Sequence, residues 1–348
     1  MKRTYRWPPL LLCAVLSVLV LSCAKRGSPP GGPADTTVPY VDEVIPPSGS
    51  VRVGADSLMS VEFSETMKKR TVETGIIVSP PSRWKKRYWK KNTYYLIPET
   101  GLKPNTTYLI SVSNKVKDSH DVAMKSTFIS GFSTGDSINA GIITGAIKWK
   151  NVTVEAAVVE LFDIGDYDTS GVVRPGDPLY VTLSGAGGLY EIPFVDTGKR
   201  YRLQAFLDKD VNSEYDDGEA VGCYNGDVVF EGVSELDSVD FTICGNTLSG
   251  AIRGLIDTAS VADTLTITVL AESVTDSSVT YWAAPKKSGE FEIKCVTPGA
   301  YLIQAFSDVN VNHEKDPGDT FFVEVADTLS VESCSKPREV RFGFGEDD

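Results

Sequence analysis

Short stretches in which apolar and polar residues alternate, broken by Gly, Pro, Asn and Asp, set the limits on how this chain folds. Met59, Val61 and Phe63 share one parity, as do Tyr108, Ile110 and Val112. A period of two places such residues on one face of a strand. From Tyr40 onward no long segment carries the 3.6-residue period of an amphipathic helix. The pattern predicts an all-β chain built of tandem β-sandwich modules. A length of 348 residues, at roughly 100–150 residues per domain, leaves room for two to three of them.

The N-terminus reads as an address. Lys2, Arg3 and Arg6 precede the apolar run Leu10–Leu21. A membrane-spanning helix needs about 20 apolar residues, so the run is expected to be the core of a signal peptide covering residues 1–22. It ends in Val20-Leu21-Ser22-Cys23, which resembles the lipobox of bacterial lipoproteins. The resemblance implies cleavage before Cys23, acylation of its sulfur and of the new amino group, and stable membrane anchoring. Position 24 is Ala rather than Asp, which favours the outer membrane. Residues 23–39, with Gly27-Ser28-Pro29-Pro30-Gly31-Gly32-Pro33, read as a tether unable to build a core.

Three modules follow. Within residues 40–136, Val44-Ile45-Pro46-Pro47-Ser48-Gly49 and Val61-Glu62-Phe63-Ser64-Glu65-Thr66-Met67 come first. Leu102-Lys103-Pro104-Asn105-Thr106-Thr107-Tyr108 and Phe132-Ser133-Thr134-Gly135 complete the series. These four blocks, in this order, resemble the bacterial Ig-like domain of the S-layer SbsA type. Tyr108 after its Leu-x-Pro turn looks like a tyrosine corner. Asp118-Ser119-His120-Asp121 departs from the family's usual Asp-x-x-Gly-Asn turn.

Residues 140–245 and 246–345 form an internal repeat. Ile143-Thr144-Gly145-Ala146-Ile147 corresponds to Leu248-Ser249-Gly250-Ala251-Ile252, Tyr190-Glu191-Ile192 to Phe291-Glu292-Ile293, and Gln204-Ala205-Phe206 to Gln304-Ala305-Phe306. Each copy resembles the prealbumin-like modules of bacterial surface proteins, the Cna B-type and SdrD B-type repeats. Gly185-Ala186-Gly187-Gly188 is expected to be a hairpin turn rather than a dinucleotide fingerprint, because no helix follows.

One constellation carries chemistry. Asp208, Asp210, Asn212, Glu214, Asp216 and Glu219 stand at positions 1, 3, 5, 7, 9 and 12 of a loop. Asp308, Asn310, Asn312, Glu314, Asp316 and Asp319 repeat the spacing. An EF-hand loop wraps calcium with this spacing, since every second side chain faces inward. Position 6 is Ser213 and His313, not the Gly of an EF-hand. The loops resemble instead the calcium loops of SdrD B-type repeats. That resemblance implies calcium ligation by Asp208, Asp210, Asn212, Asp216 and Glu219, and by Asp308, Asn310, Asn312, Asp316 and Asp319. Position 7 usually offers a backbone carbonyl, and Asp319 is shorter than Glu. The same residues also favour Asx turns for reasons of their own.

Other signals are weaker. Arg83, Lys85, Lys86, Arg87, Lys90 and Lys91 interleave with Trp84, Tyr88 and Trp89. The run reads either as a patch for an anionic partner or as a charged edge strand guarded against aggregation. Cys223, Cys244, Cys295 and Cys334 remain after the signal and the anchor. Two per repeat suggests the pairs Cys223–Cys244 and Cys295–Cys334 out of three connectivities.

Charge divides along the module boundaries. Residues 40–136 carry 14 Lys/Arg against 10 Asp/Glu, whereas residues 137–348 carry 15 against 36. The net charge of −13 disfavours nucleic acid as a partner. With two His in the chain and no GxSxG, P-loop or HExxH motif, the chain is expected not to be an enzyme. The reading is an envelope-anchored structural or binding lipoprotein with calcium-stiffened loops, partnered by the membrane through its lipid and by an envelope protein or glycan. Its rival is a docking subunit of an envelope enzyme or transport complex.

Overall fold

The computed structural model describes residues 34–164, 177–256, 266–324 and 328–342. The signal segment, Cys23 and the tether as far as residue 33 lie outside them. Residues 1–37 and 38–348 are separate units. In the first, the Thr37 amide donates to the Asp35 carboxylate at 2.9 Å. The second holds all the sheets.

Its first part is a sandwich. One sheet has the order β1–β2–β5–β4, where β1 is Val41–Ile45, β2 Met59–Phe63, β4 Trp84–Lys90 and β5 Thr93–Pro98. The other, β3–β6–β7, comprises Ile76–Ser79, Thr107–Val112 and Phe128–Ser133. The alternation seen in the sequence is what fills the space between them: Met59, Val61 and Phe63 face Tyr108, Ile110 and Val112 in one core, each at most 2% exposed. The Tyr108 ring stacks on Phe132 at 5.4 Å, and its hydroxyl accepts the Lys103 N–H at 2.7 Å, as a tyrosine corner does. Burial raises the Tyr108 phenol above its ordinary range, partly offset by that hydrogen bond. At the divergent turn, the buried Asp118 carboxylate accepts the amides of His120 and Val122, each at 2.8 Å. A side chain closes this turn. Helix α1, Lys69–Gly75, is too short for its period to show in the sequence.

The two repeats share one topology. In the first, β8 is Gly141–Trp149, β9 Val152–Thr153, β10 Val158–Asp163, β11 Tyr180–Leu183, β12 Leu189–Val195, β13 Arg200–Phe206, β14 Val221–Cys223, β15 Val228–Val229, β16 Glu235–Leu236 and β17 Phe241–Ile243. Its sheets run β11–β10–β13–β14 and β12–β8–β16, with β17 also parallel to β8. In the second, β18 is Gly250–Ile256, β19 Ile267–Ser273, β20 Thr280–Ala283, β21 Glu290–Val296, β22 Gly299–Ser307, β23 Thr320–Glu324, β24 Leu329–Val331 and β25 Arg338–Phe342. The matching sheets are β20–β19–β22–β23 and β21–β18–β25. The repeated glycine has a steric cause. A Cβ on Gly145 would lie 2.2 Å from the Val239 carbonyl, and one on Gly250 2.5 Å from that of Glu332, so the neighbouring chain leaves no room for a side chain. Residues 185–188 do not form a hairpin. They connect β11 and β12, which belong to different sheets, and turn through positive φ at Gly187 and Gly188.

Modules of this kind are often strung on hydrated linkers, but these pack together. Leu109 of β6 lies in the core of the first repeat, with Ile129 of β7 against it. The Phe194 ring rests where a Gly131 side chain would stand, 2.7 Å from that Cβ position. The Ser79 hydroxyl accepts the Val181 N–H at 2.8 Å and lies 3.2 Å from the Val181 carbonyl. A further core joins all three modules: Ile77 from the first, Val158, Phe162, Val181, Phe206, Val221 and Cys223 from the second, Leu248 and Cys334 from the third.

The disulfides correct the expected pairing. Cys223 is bonded to Cys334, and Cys244 to Cys295, so both bonds cross from one repeat to the other. The reason lies at the junction. The Cys334 amide donates to the Ser249 carbonyl at 3.0 Å, and the Cys334 carbonyl accepts from Arg202 and from the Gly226 amide. These contacts bring the segment before β25 against β14. Disulfide mapping by mass spectrometry should recover peptides linking 223 to 334 and 244 to 295. Recovery of 223–244 and 295–334 would overturn the arrangement. Replacing Cys223 and Cys334 together by Ala should destabilise the chain by about 4 kcal/mol, given the long loop closed, as read by urea unfolding.

Candidate functional site

The two acidic loops follow equivalent strands, β13 and β22, and share a conformation. Positions 4 and 6 adopt positive φ in both: Val211 and Ser213 in the first, Val311 and His313 in the second. Non-glycine residues rarely hold this geometry unless their surroundings fix it. Here the position-1 carboxylate fixes it. Asp208 accepts the amides of Val211 and Ser213, each at 2.7 Å, and of Asn212 at 3.3 Å. Asp308 accepts those of His313 at 2.8 Å and Asn312 at 3.2 Å, and the Thr268 hydroxyl at 3.0 Å. Asp308 is buried. Burial pushes its carboxyl upward, but the donors from His313, Thr268, Asn312 and Val311 outweigh it and hold the group below its ordinary range.

Position 12 closes each loop from the other side. Glu219 accepts the Lys209 and Asp216 amides at 2.7 and 3.1 Å. Asp319, despite its shorter side chain, accepts the matching pair, Val309 and Asp316, at 3.1 and 2.8 Å. Between these ends the asparagine amides stand among the carboxylates. Asn212 Nδ2 donates to Asp210 at 3.1 Å and Asp216 at 2.9 Å. Asn310 and Asn312 both donate to Asp316, at 2.6 and 2.8 Å. Partial positive charge thus stands among the carboxylates.

The loops differ in charge. Carboxylate oxygens of Asp208, Asp210 and Glu219 lie within 4.8 Å of one another; Asn310 stands where Asp210 does. All ten residues singled out as ligands fall in these two loops. The Glu214 and Glu314 amides donate to Asn212 and Asn312, and both side chains are exposed. Two neighbours of the second loop were not evident in the sequence. Thr268 comes from β19, and its hydroxyl is 3.1 Å from His313 Nδ1. Trp282 of β20 stacks on the His313 ring at 3.5 Å. His313 Nδ1 in turn lies 3.4 Å from Asp308.

The basic run lies on β4, an edge strand. Lys86, Tyr88 and Lys90 pair with Ile97, Tyr95 and Thr93, on the outer face. There the Lys86 ammonium sits over Tyr88 at 4.6 Å, and Tyr88 stacks on Tyr95. Arg87 and Trp89 pair with the buried Leu96 and Tyr94, on the face toward the sandwich interior.

Residues 35–134 match the model of the bacterial Ig-like domain. The match covers the first sandwich and marks it as a structural or binding module rather than a catalytic one, of a kind typical of extracellular or envelope proteins. No curated protein matches the chain in sequence. Among solved structures it is similar to the Bacillus anthracis TIE protein, at 12% identity over 97% of this chain and 62% of that one, with a TM-score of 0.19. Surface layer protein SbsC, domains 1–6, gives 14% identity over 87% and 41%, at 0.23. L,D-transpeptidase 3 from Mycobacterium tuberculosis gives 14% over 72% and 79%, at 0.21. Scores of this size carry nothing about function. Among the described residues no helix is long and apolar enough to cross a membrane.

Asp308 and Asp210 should respond differently to the loss of charge. In chelator, Asp308→Asn should cost about 2 kcal/mol, because it faces a buried acceptor's donors with an amide N–H. Asp210→Asn, on an exposed side chain, should stay within about 0.5 kcal/mol. Urea unfolding of the two variants checks this, and equal losses would mean that the carboxylates share one structural role.

Proposed function

We propose that the chain is a non-enzymatic lipoprotein of the cell envelope whose folded part is a rigid scaffold or binding module stiffened by calcium. The observation that supports it best is the core shared by all three modules, crossed by the Cys223–Cys334 bond. Such a junction resists bending, whereas hydrated linkers would not. Disulfides suit an oxidising compartment outside the cytoplasm. The lipobox-like Ser22-Cys23 supplies the anchor, and Ala24 favours the outer membrane. The two repeats are read as prealbumin-like modules.

Calcium would act at both loops. It would be held by Asp208, Asp210, Asn212, Asp216 and Glu219 in one, and by Asp308, Asn310, Asn312, Asp316 and Asp319 in the other. It would replace the asparagine N–H donors among the carboxylates and neutralise part of the repeats' negative charge. The first loop, with its three gathered carboxylates, is the stronger site.

Calorimetric titration of the purified chain with calcium, beside thermal melts, tests the reading. Two binding events and a raised melting temperature are expected, since a ligand that binds only the folded state stabilises it. Asp216→Asn, at an exposed position, and Asp316→Asn, at a half-buried one, should each remove one event while leaving the melt in chelator within about 0.5 kcal/mol of the parent. An absence of heat at millimolar calcium would refute the metal reading. Separately, expression with a labelled fatty acid should label the chain, and Cys23→Ala should abolish the label and release the protein from membranes.

A further inference from the structure

A cleft of about 940 Å³ opens where the edge of the first sandwich meets the first acidic loop. Its floor includes Ile76, Val78 and Leu96 at the seam between the two sheets. Its basic wall is formed by Arg70 from α1, Arg83 from the approach to β4, and Arg87 from β4. The facing wall is residues 211–214 of the loop in the first repeat.

Arg87 by itself has a simple explanation. An inward-pointing charge on an edge strand discourages pairing with another chain. That does not account for Arg70 and Arg83, which come from separate elements and line the same space. None of the three guanidinium groups has a carboxylate partner among the described residues. Arg87 is directed instead at the Tyr94 hydroxyl. Burial raises that phenol, and the hydrogen bond and charge of Arg87 lower it in part. Two carboxylates line the cleft, Glu73 and Glu214. Glu73 is engaged by the Trp89 indole N–H at 3.1 Å.

The geometry points to a binding site for a small acidic ligand, one carboxylate- or phosphate-bearing molecule of about monosaccharide to disaccharide size. Arg70, Arg83 and Arg87 hold its oxyanion. Guanidinium groups recognise planar and tetrahedral oxyanions with paired N–H donors, and the half-buried Trp84 and the aliphatic floor offer a surface to its carbon skeleton. Lys85, Lys86 and Lys90 do not line the cleft. This site does not depend on the calcium reading.

The test titrates the purified full chain with glucuronate, glucose 6-phosphate and neutral glucose, in calcium and in chelator. Binding is read by calorimetry. At least one of the two anions should bind at millimolar concentration or tighter, with glucose inert, and the stronger of the two identifies the preferred oxyanion. Replacing Arg70, Arg83 and Arg87 together by Gln should weaken binding by about tenfold or more. Replacing Lys85, Lys86 and Lys90 by Gln removes the same charge and should change affinity less than about threefold. All six side chains are exposed, so both variants should fold, which a thermal melt verifies. Equal losses in the two triple variants would reduce the effect to a diffuse field and overturn the site, as would a failure of both anions to bind. Calcium binding gives its own heat, so a chain that ignores calcium yet holds the anion refutes the metal reading and sustains this one.

Discussion

The arrangement depends on a small apolar junction. Ile77, Phe206, Leu248 and the sulfurs of Cys223 and Cys334 meet in one core to which each of the three modules contributes. Burying a side chain of this size stabilises by about 1.5–3 kcal/mol, and bending one module away from the others would return several of them to water together. The disulfides act on the same place by a different route. Each joins a residue of the first repeat to one of the second, so each also restricts the unfolded chain across the boundary. Apolar burial sets the angle between modules, and the covalent bonds limit how far they separate when that burial fails.

Much of this architecture was legible because strands declare themselves by parity. Met59, Val61 and Phe63 could be assigned to an inner face before any contact was known, and so could Tyr108, Ile110 and Val112. The repeat was legible through residues whose constraint is local: the glycine of Thr144-Gly145-Ala146 and of Ser249-Gly250-Ala251 sits where a neighbouring carbonyl excludes a side chain. Disulfide pairing was not legible. Two cysteines per repeat suggest pairs within a repeat only if the repeats are independent, and the junction that makes them dependent is built from residues distant in sequence. Arg70 was missed for a similar reason. It lies well before the basic run in sequence and joins Arg83 and Arg87 only through the fold, which brings Glu73 of α1 to the indole of Trp89 on β4. The acidic loops were the opposite case: their spacing was visible, and their residues do converge, because the chemistry is confined to twelve consecutive positions.

Those loops show how one sequence pattern serves two physical ends. Asp208 and Asp308 satisfy backbone amides that positive-φ residues turn inward, as in Asx turns generally. The ends of each loop are therefore held by hydrogen bonds. The middle is different. Asp210 and Asp216 are exposed and Asp316 is half-buried, and all three are approached by neutral amide N–H groups, a weak counter to clustered negative charge. A divalent cation would exchange those donors for a full charge while the carboxylates at positions 1 and 12 keep the backbone amides they accept. A preformed frame lowers the ordering cost of binding. The buried Asp308, with Thr268 and the His313–Trp282 stack beside it, gives the second loop the more rigid frame, and the three carboxylates of the first give it the stronger field.

The same balance of charge bears on what reaches the cleft. The repeats are strongly acidic while the first sandwich is mildly basic, and the two meet where loop residues 211–214 face Arg70, Arg83 and Arg87. In physiological salt an exposed charge is screened over about 8 Å. A long polyanion crossing this region would run along acidic surface for much of its length, and its repulsion would grow with every unit added. A single small anion inside the cleft meets the guanidinium groups that line it without running along that acidic surface. Acidic repeats and an arginine-lined cleft are therefore compatible, and the arrangement would favour a short acidic ligand over a long acidic chain.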